Sequence, residues 1–171
     1  MRAVLAFALA ALALSATAAS SQDAALLDVR HTMQAQVNPA IVAIWDVTNN
    51  ALDDNGAINA ALIDEAGWTQ IATSAAALAA AGDRMAAAQS FIAASPGNWA
   101  TAEEEVSMDV VQASLDAEPA GFRTFAASFA VTARELETAA TARDPARTAE
   151  LVTNMDSTCS GCHGAYWYPE Y

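Results

Sequence analysis

The sequence predicts an all-α fold, an antiparallel four-helix bundle, on three observations. Beyond its N-terminal leader the chain is rich in Ala, the strongest helix former, and poor in β-branched runs. Apolar residues recur at helical spacing in four segments that turn signals separate. No alternating strand pattern, Gly-rich phosphate loop or internal repeat stands out.

The leader opens with Arg2, a short positive start, followed by an apolar run from Val4 to Leu14 and a small-x-small cleavage site at Ala16-Thr17-Ala18. That run is well short of the roughly 20 residues of a membrane-spanning helix. No Cys stands at the cleavage site and no second long apolar stretch follows. Residues 1–19 therefore read as a cleaved secretory signal peptide and residues 20–171 as a single domain, periplasmic and without membrane insertion. Roughly 150 residues suffice for one domain with its own core.

The first helix is expected from about Asp23 to Asn50, ending before the turn signal Asp53-Asp54-Asn55-Gly56. A second spans about Ile58 to Ala81, with Trp68, Ile71, Ala75 and Leu78 at helical spacing, and an extension through Met85 to Ala93 stays open. After the break at Ser95-Pro96-Gly97-Asn98, a less regular region carries a short helix from Glu103 to Leu115. The third main helix starts at Pro119, a residue suited to a first turn, and puts Phe122, Phe125, Phe129, Ala133, Leu136 and Ala140 on one stripe. The fourth begins at Asp144-Pro145, a cap followed by a proline, and continues through residue 163. Short connections between most of these segments suit antiparallel neighbours in a bundle.

Charge narrows the partners. The chain has 20 Asp and Glu against seven basic residues, all Arg, for a net charge of −13 at pH 7, and losing Arg2 with the leader makes it −14. Such a surface repels phosphate backbones and anionic head groups, which argues against nucleic acid and membrane partners. A partner protein with a basic docking surface is compatible with it, and so is acidity that serves solubility or a saline habitat.

Cys159-Ser160-Gly161-Cys162-His163 is a complete C-x-x-C-H, the attachment pattern for haem c. In that chemistry two thiols add across the haem vinyl groups and the adjacent imidazole binds the iron. On a helix these three side chains fall at i, i+3 and i+4 and share a face. A thioredoxin-like disulfide would need a βαβ context, which the sequence lacks. A zinc site would want four ligands, and the exported chain has two Cys and one other His, His31. One covalent haem c, with its iron, is the cofactor expected.

Eight residues follow His163 in the sequence and none is Met or His, so a second iron ligand is expected upstream. The candidates are His31, Met33, Met85, Met108 and Met155. Met155 lies about two turns before His163 on the same helix, too close to reach the other haem face, and packing against the ring edge is its expected role. Met85 and Met108 read as core or surface filler. At about 100° per residue, Leu26, Val29, Met33, Val37, Ala40, Ile44 and Val47 fall within roughly 40° of one line. Met33 is then on the buried stripe, while His31 projects roughly 160° away with Leu27, Val42 and Trp45. A kink is expected at Pro39. Met33 is the favoured ligand; His31 and a vacant position are the alternatives.

This pattern resembles the cytochrome c-prime family, secreted four-helix bundles with C-x-x-C-H at the end of the last helix. The resemblance covers the exported chain as an architecture, with its specific motif confined to Cys159–His163. The segment Val29-Arg30-His31-Thr32-Met33 looks like the family's first-helix region. The resemblance implies Cys159 and Cys162 as thioether cysteines, His163 as proximal ligand, Met33 as the distal ligand of the low-spin branch, and Arg30 as a haem-propionate partner. Many members have a basic residue soon after the motif, whereas this chain reads Gly164-Ala165-Tyr166-Trp167-Tyr168-Pro169, so a basic proximal pocket does not carry over. That aromatic cluster is expected to shield the haem edge or cap the bundle end. Members often pair through their first two helices, and Trp45 or Trp68 could belong to such a homodimer face, although nothing in the sequence requires it.

The function expected is one-electron transfer by a carrier that is not an enzyme and has no substrate of its own. The alternatives are a high-spin haem protein binding NO or CO at a vacant distal site, and a CxxC protein without haem.

Overall fold

The computed structural model describes residues 26–103 and 105–168, so the expected signal peptide lies outside the described residues. Within them the chain is mostly helical, with a small two-stranded parallel sheet that the sequence reading did not anticipate. Strand β1 (Leu26–Asp28) pairs with β2 (Ser90–Ile92), setting Leu27 opposite Phe91. The first helix therefore does not include Leu26, which is 56% exposed. It starts after Asp28, whose backbone is extended (φ −83°, ψ 106°) and whose carboxylate accepts the His31 N–H. Side-chain capping of this kind satisfies an N–H that the first turn would otherwise leave without a partner.

From there α1 (Val29–Thr32), a π-helical turn (Met33–Val37) and α2 (Asn38–Asn49) follow without a break. The kink expected at Pro39 takes the form of that π turn. Pro39 has no N–H to return to the preceding turn, and the Asn38 N–H donates to the Met33 carbonyl five residues back. A wide turn of this kind rotates everything after it relative to an unbroken α-helix.

The next two helices start later than the spacing suggested. Leu52 bridges Ile58 and Asn59 caps a 3-10 turn (Ala60–Leu62), so α3 (Glu65–Ala87) starts only where the Asp64 carboxylate accepts the Gly67 N–H. The short helix α4 (Met108–Ala117) is capped by Ser107 rather than beginning at Glu103. The last two, α5 (Pro119–Thr141) and α6 (Pro145–Tyr166), match the expected starts at Pro119 and Asp144-Pro145. Between them Arg143 takes the left-handed conformation (φ 55°). The Asp144 N–H returns to the Ala139 carbonyl and the Arg143 N–H to that of Ala140, a Schellman closure.

Packing centres on α5, which lies against α3 on one side and α6 on another, while α2 packs on α3. Ile44, Ile71, Leu78, Val111, Leu136 and Leu151 are almost fully buried between these elements. Met155 and Met108 are buried in the same core, as is Trp68 at 5% exposure, which removes Trp68 from any outward pairing face. Gly82 sets the approach of α3 to α5: a Cβ there would meet Ala130 Cβ and Phe129 Cδ1 at 2.9 Å and the Ala126 carbonyl at 3.0 Å. No helix among the described residues is long and apolar enough to cross a membrane.

Two substitutions test this packing. Gly82→Ala gains up to about 1 kcal/mol of helix propensity but overpacks a backbone contact, at about 1–3 kcal/mol. A lower midpoint in chemical unfolding is expected, and an unchanged or higher one contradicts the close approach. The Thr148 hydroxyl is fully buried with no hydrogen-bond partner among the described residues. Thr148→Val should stabilise the fold by about 1 kcal/mol by removing that unpaired group.

Candidate functional site

The C-terminal end of α6 carries Cys159 and, one turn later, Cys162 and His163. The Trp167 and Tyr168 N–H groups both donate to the His163 carbonyl, at 2.8 and 2.7 Å, which fixes the backbone just after the motif. Tyr166 anchors this end to α5: its hydroxyl donates to the Glu118 carbonyl at 2.8 Å, and its ring meets that of Phe122 edge-on at 5.3 Å. Gly121 makes room for that hydroxyl, because a Cβ there would lie 2.6 Å from it. Of the two roles expected for the aromatic cluster, Tyr166 takes the capping one. Trp167 stands beside His163, with ring centroids 6.5 Å apart.

The motif residues line an apolar cleft of ≈ 690 Å³, measured to its open mouth. Its other walls come from Phe122, Phe125 and Phe129 of α5, from Met85 of α3, and from Met33, Ile41 and Trp45 of the first helical run. Asn38 and Thr158 add polar groups to an otherwise apolar lining. A smaller cavity adjoins it, lined by Val29, Val111, Leu115, Tyr166 and Trp167. Met33, Phe122, Cys162 and His163 border both spaces and so form the partition between them.

The electrostatics of the motif follow from burial. Cys159 and Cys162 are half-buried. Burial pushes the Cys162 thiol up to about 11, with the neighbouring Cys159 adding to the rise. Burial also raises Cys159, and the Asp156 carboxylate reinforces it. Both are thus neutral thiols at neutral pH, unlike the lowered, thiolate-forming cysteines of disulfide exchange. His163 is exposed along one side, yet its surroundings hold its pKa below the ordinary histidine value. A neutral imidazole is the form that binds a metal.

The upstream candidates separate. Met33 is half-buried and reaches the cleft, while His31 is exposed and does not line it. Met85 was read as filler, but it is buried and lies on the cleft wall, a second thioether facing the motif. Trp45 is expected with His31 and Val42 away from the stripe; Val42 is exposed, whereas Trp45 lines the cleft. Met155 is wholly buried and is not among the cleft residues. Arg30 is placed elsewhere: its guanidinium donates to the Asn98 and Ala100 carbonyls at 2.8 and 2.9 Å and pairs with Glu105 at 3.4 Å. It secures the segment after β2 and does not line the cleft.

The donor chemistry fits a covalent haem. Paired thiols and an imidazole share one helical face, against an apolar slot with thioethers on its other walls. Compared with models of protein families, with curated proteins and with solved structures, the chain matches none.

Thiol burial can be read directly in the unmodified chain. Because the thiolate is the nucleophile, iodoacetamide should label both cysteines far more slowly at neutral pH than it labels free cysteine. Labelling of Cys162 should reach half its limiting rate near pH 11. Rapid labelling of Cys162 at neutral pH contradicts the buried placement.

Proposed function

We propose that this chain is a c-type cytochrome, an exported carrier that holds one covalent haem and passes one electron at a time to and from partner proteins. The observation that carries this reading is the apolar cleft shared by the C-x-x-C-H turn and Met33. On this reading the run 29–49, α3, α5 and α6 are the four helices of an antiparallel bundle, and α4 and the sheet are additions to it.

Cys159 and Cys162 would hold the haem by thioether bonds, and His163 and Met33 would be its iron ligands. Bound there, the haem supplies a one-electron iron couple whose potential His/Met ligation raises. The chain's own contribution is positional. Phe122, Phe125 and Phe129 wall the cleft with low-polarity surface and keep water from the metal, which favours the less charged reduced state. Tyr166 and the two N–H groups on the His163 carbonyl hold the backbone that carries this imidazole. Met33 is preferred to Met85 because it, like His163 and Cys162, borders both cavities, whereas Met85 borders only the cleft.

The acidic surface suits a redox partner with a basic docking face, whose approach salt would slow. Of the residues once considered for a homodimer face, Trp68 is buried and Trp45 lines the cleft, so pairing through them is not part of the proposal.

The test is spectroscopic. Acidified acetone should leave the colour on the protein, and haem extracted in full sinks the covalent reading. The oxidised wild type should be low-spin. Met33→Ala should turn it high-spin and lower its potential, whereas Met85→Leu and His31→Ala should leave the spectrum low-spin. Loss of the low-spin signal in either control reassigns the ligand to that residue. A wild type that is already high-spin and binds CO at once favours the vacant-site alternative.

A further inference from the structure

We propose that the basic partner protein docks across the mouth of the cleft, with Val42 and Trp45 of α2 as its apolar anchor and Asp46 and Asp156 as its charged rim. This rests on the carrier reading above and adds the place where the partner sits.

The position of the mouth follows from which helices pack. α2 lies on α3, α3 on α5 and α5 on α6, and no comparable packing closes the first helical run onto α6. Both of these unjoined elements contribute to the lining of the cleft. Of the lining residues, Asn38 and His163 are the exposed ones, one from each side, so the mouth lies between them.

The lip on α2 is apolar. Asn38, Val42 and Trp45 stand at i, i+4 and i+7 and share one line of the helix. Asn38 and Trp45 line the cleft, and Val42 between them is 46% exposed. A half-buried indole with an apolar neighbour at the surface is the kind of anchor on which protein interfaces depend.

Charge selects the occupant. Asp46 follows Val42 by one turn of α2. Across the mouth, Asp156 precedes Cys159 by one turn of α6 and lies close enough to raise its thiol. Both carboxylates are exposed, and neither pairs with an Arg among the described residues. No Arg lines the cleft, and the chain has no Lys. The rim is thus apolar on one lip and negative on both, which fits a partner whose apolar spot is ringed by Lys or Arg. At a net charge of −13, a second copy of this chain would be repelled.

The α2 lip is also held before anything binds. The Asp28 carboxylate accepts the His31 N–H at 2.9 Å and the Ser95 N–H at 2.8 Å, with the Ser95 hydroxyl donating as well. Arg30 ties the same turn to the Asn98 and Ala100 carbonyls. A clamped lip loses little further freedom on association.

The experiment is carbodiimide cross-linking of the purified haem protein to a basic probe, a lysine-rich mitochondrial cytochrome c, with the linked carboxylates located by mass spectrometry. Because this chain has no Lys, every link from one of its carboxylates to a lysine joins it to the probe. Links should concentrate on Asp46 and Asp156 and disappear at high salt. In calorimetric titrations at low salt, the double variant Asp46→Asn, Asp156→Asn should bind the probe several-fold more weakly, and so should Val42→Arg. The double variant Asp54→Asn, Asp109→Asn removes the same charge from residues that do not line or flank the cleft, and its binding should stay close to that of the wild type. Links spread evenly over the carboxylates, or equal weakening by the two double variants, overturn the docking site and leave the carrier reading intact. Protein purified without a Soret band overturns the carrier reading, and the docking site with it.

Discussion

The contact between α3 and α5 at Gly82 is the constraint from which the rest of the arrangement follows. A side chain at that position would collide with Phe129, Ala130 and the Ala126 carbonyl, so the two helices approach to a distance that only Gly permits. With α3 pressed to one side of α5, Phe129 packs at that contact, and Phe122, Phe125 and Phe129 together wall the cleft. Phe122 then becomes a hub, meeting Phe91 edge-on at 4.7 Å and Tyr166 at 5.3 Å. The cleft is the space that these elements leave between them, and its apolar character comes from the stripe on α5.

Much of this was legible in the sequence. The starts of α5 and α6 were marked by Pro119 and by Asp144-Pro145, because proline and a capping carboxylate act locally and need no tertiary context. The stripe from Phe122 to Ala140 was readable because an unbroken α-helix keeps its phase. Beyond Met33 the stripe still placed Val37, Ala40 and Ile44 in the core and Val42 outside, and Trp45, expected beside Val42, lines the cleft instead. The parallel pairing of Leu26–Asp28 with Ser90–Ile92 left no signal, because two three-residue strands are too short for an alternating pattern to register. Met85 was missed as a cleft residue for a different reason. A buried Met in an apolar stripe looks the same in sequence whether it faces packed side chains or an open space. Arg30 was misplaced because its partners are mainly backbone carbonyls far along the chain, which no residue pattern marks.

The arginines carry a second lesson. Each Arg of the described residues is already engaged. Arg30, Arg134, Arg143 and Arg147 pair with carboxylates, Arg123 donates to the Ala88 and Gln89 carbonyls, and Arg84 binds the Gln36 side chain. Exposed pairs of this kind add little stability individually, but they tether elements that are distant in sequence. Their larger effect is on the field: the positive charges are spent internally, and the remaining carboxylates act outward without compensation.

The clamp on Asp28 has a consequence for how the cleft is built. Its motif-bearing wall belongs to α5 and α6, which are consecutive, so it can form from contacts nearby in the chain. The wall carrying Met33 is held through Ser95, 67 residues from Asp28, and through Asn98, 68 residues from Arg30. Joining such distant segments carries the larger loop-closure entropy and belongs to the slower part of assembly. The motif-bearing wall thus rests on contacts between chain neighbours, while the wall carrying Met33 rests on two ties that each span more than sixty residues.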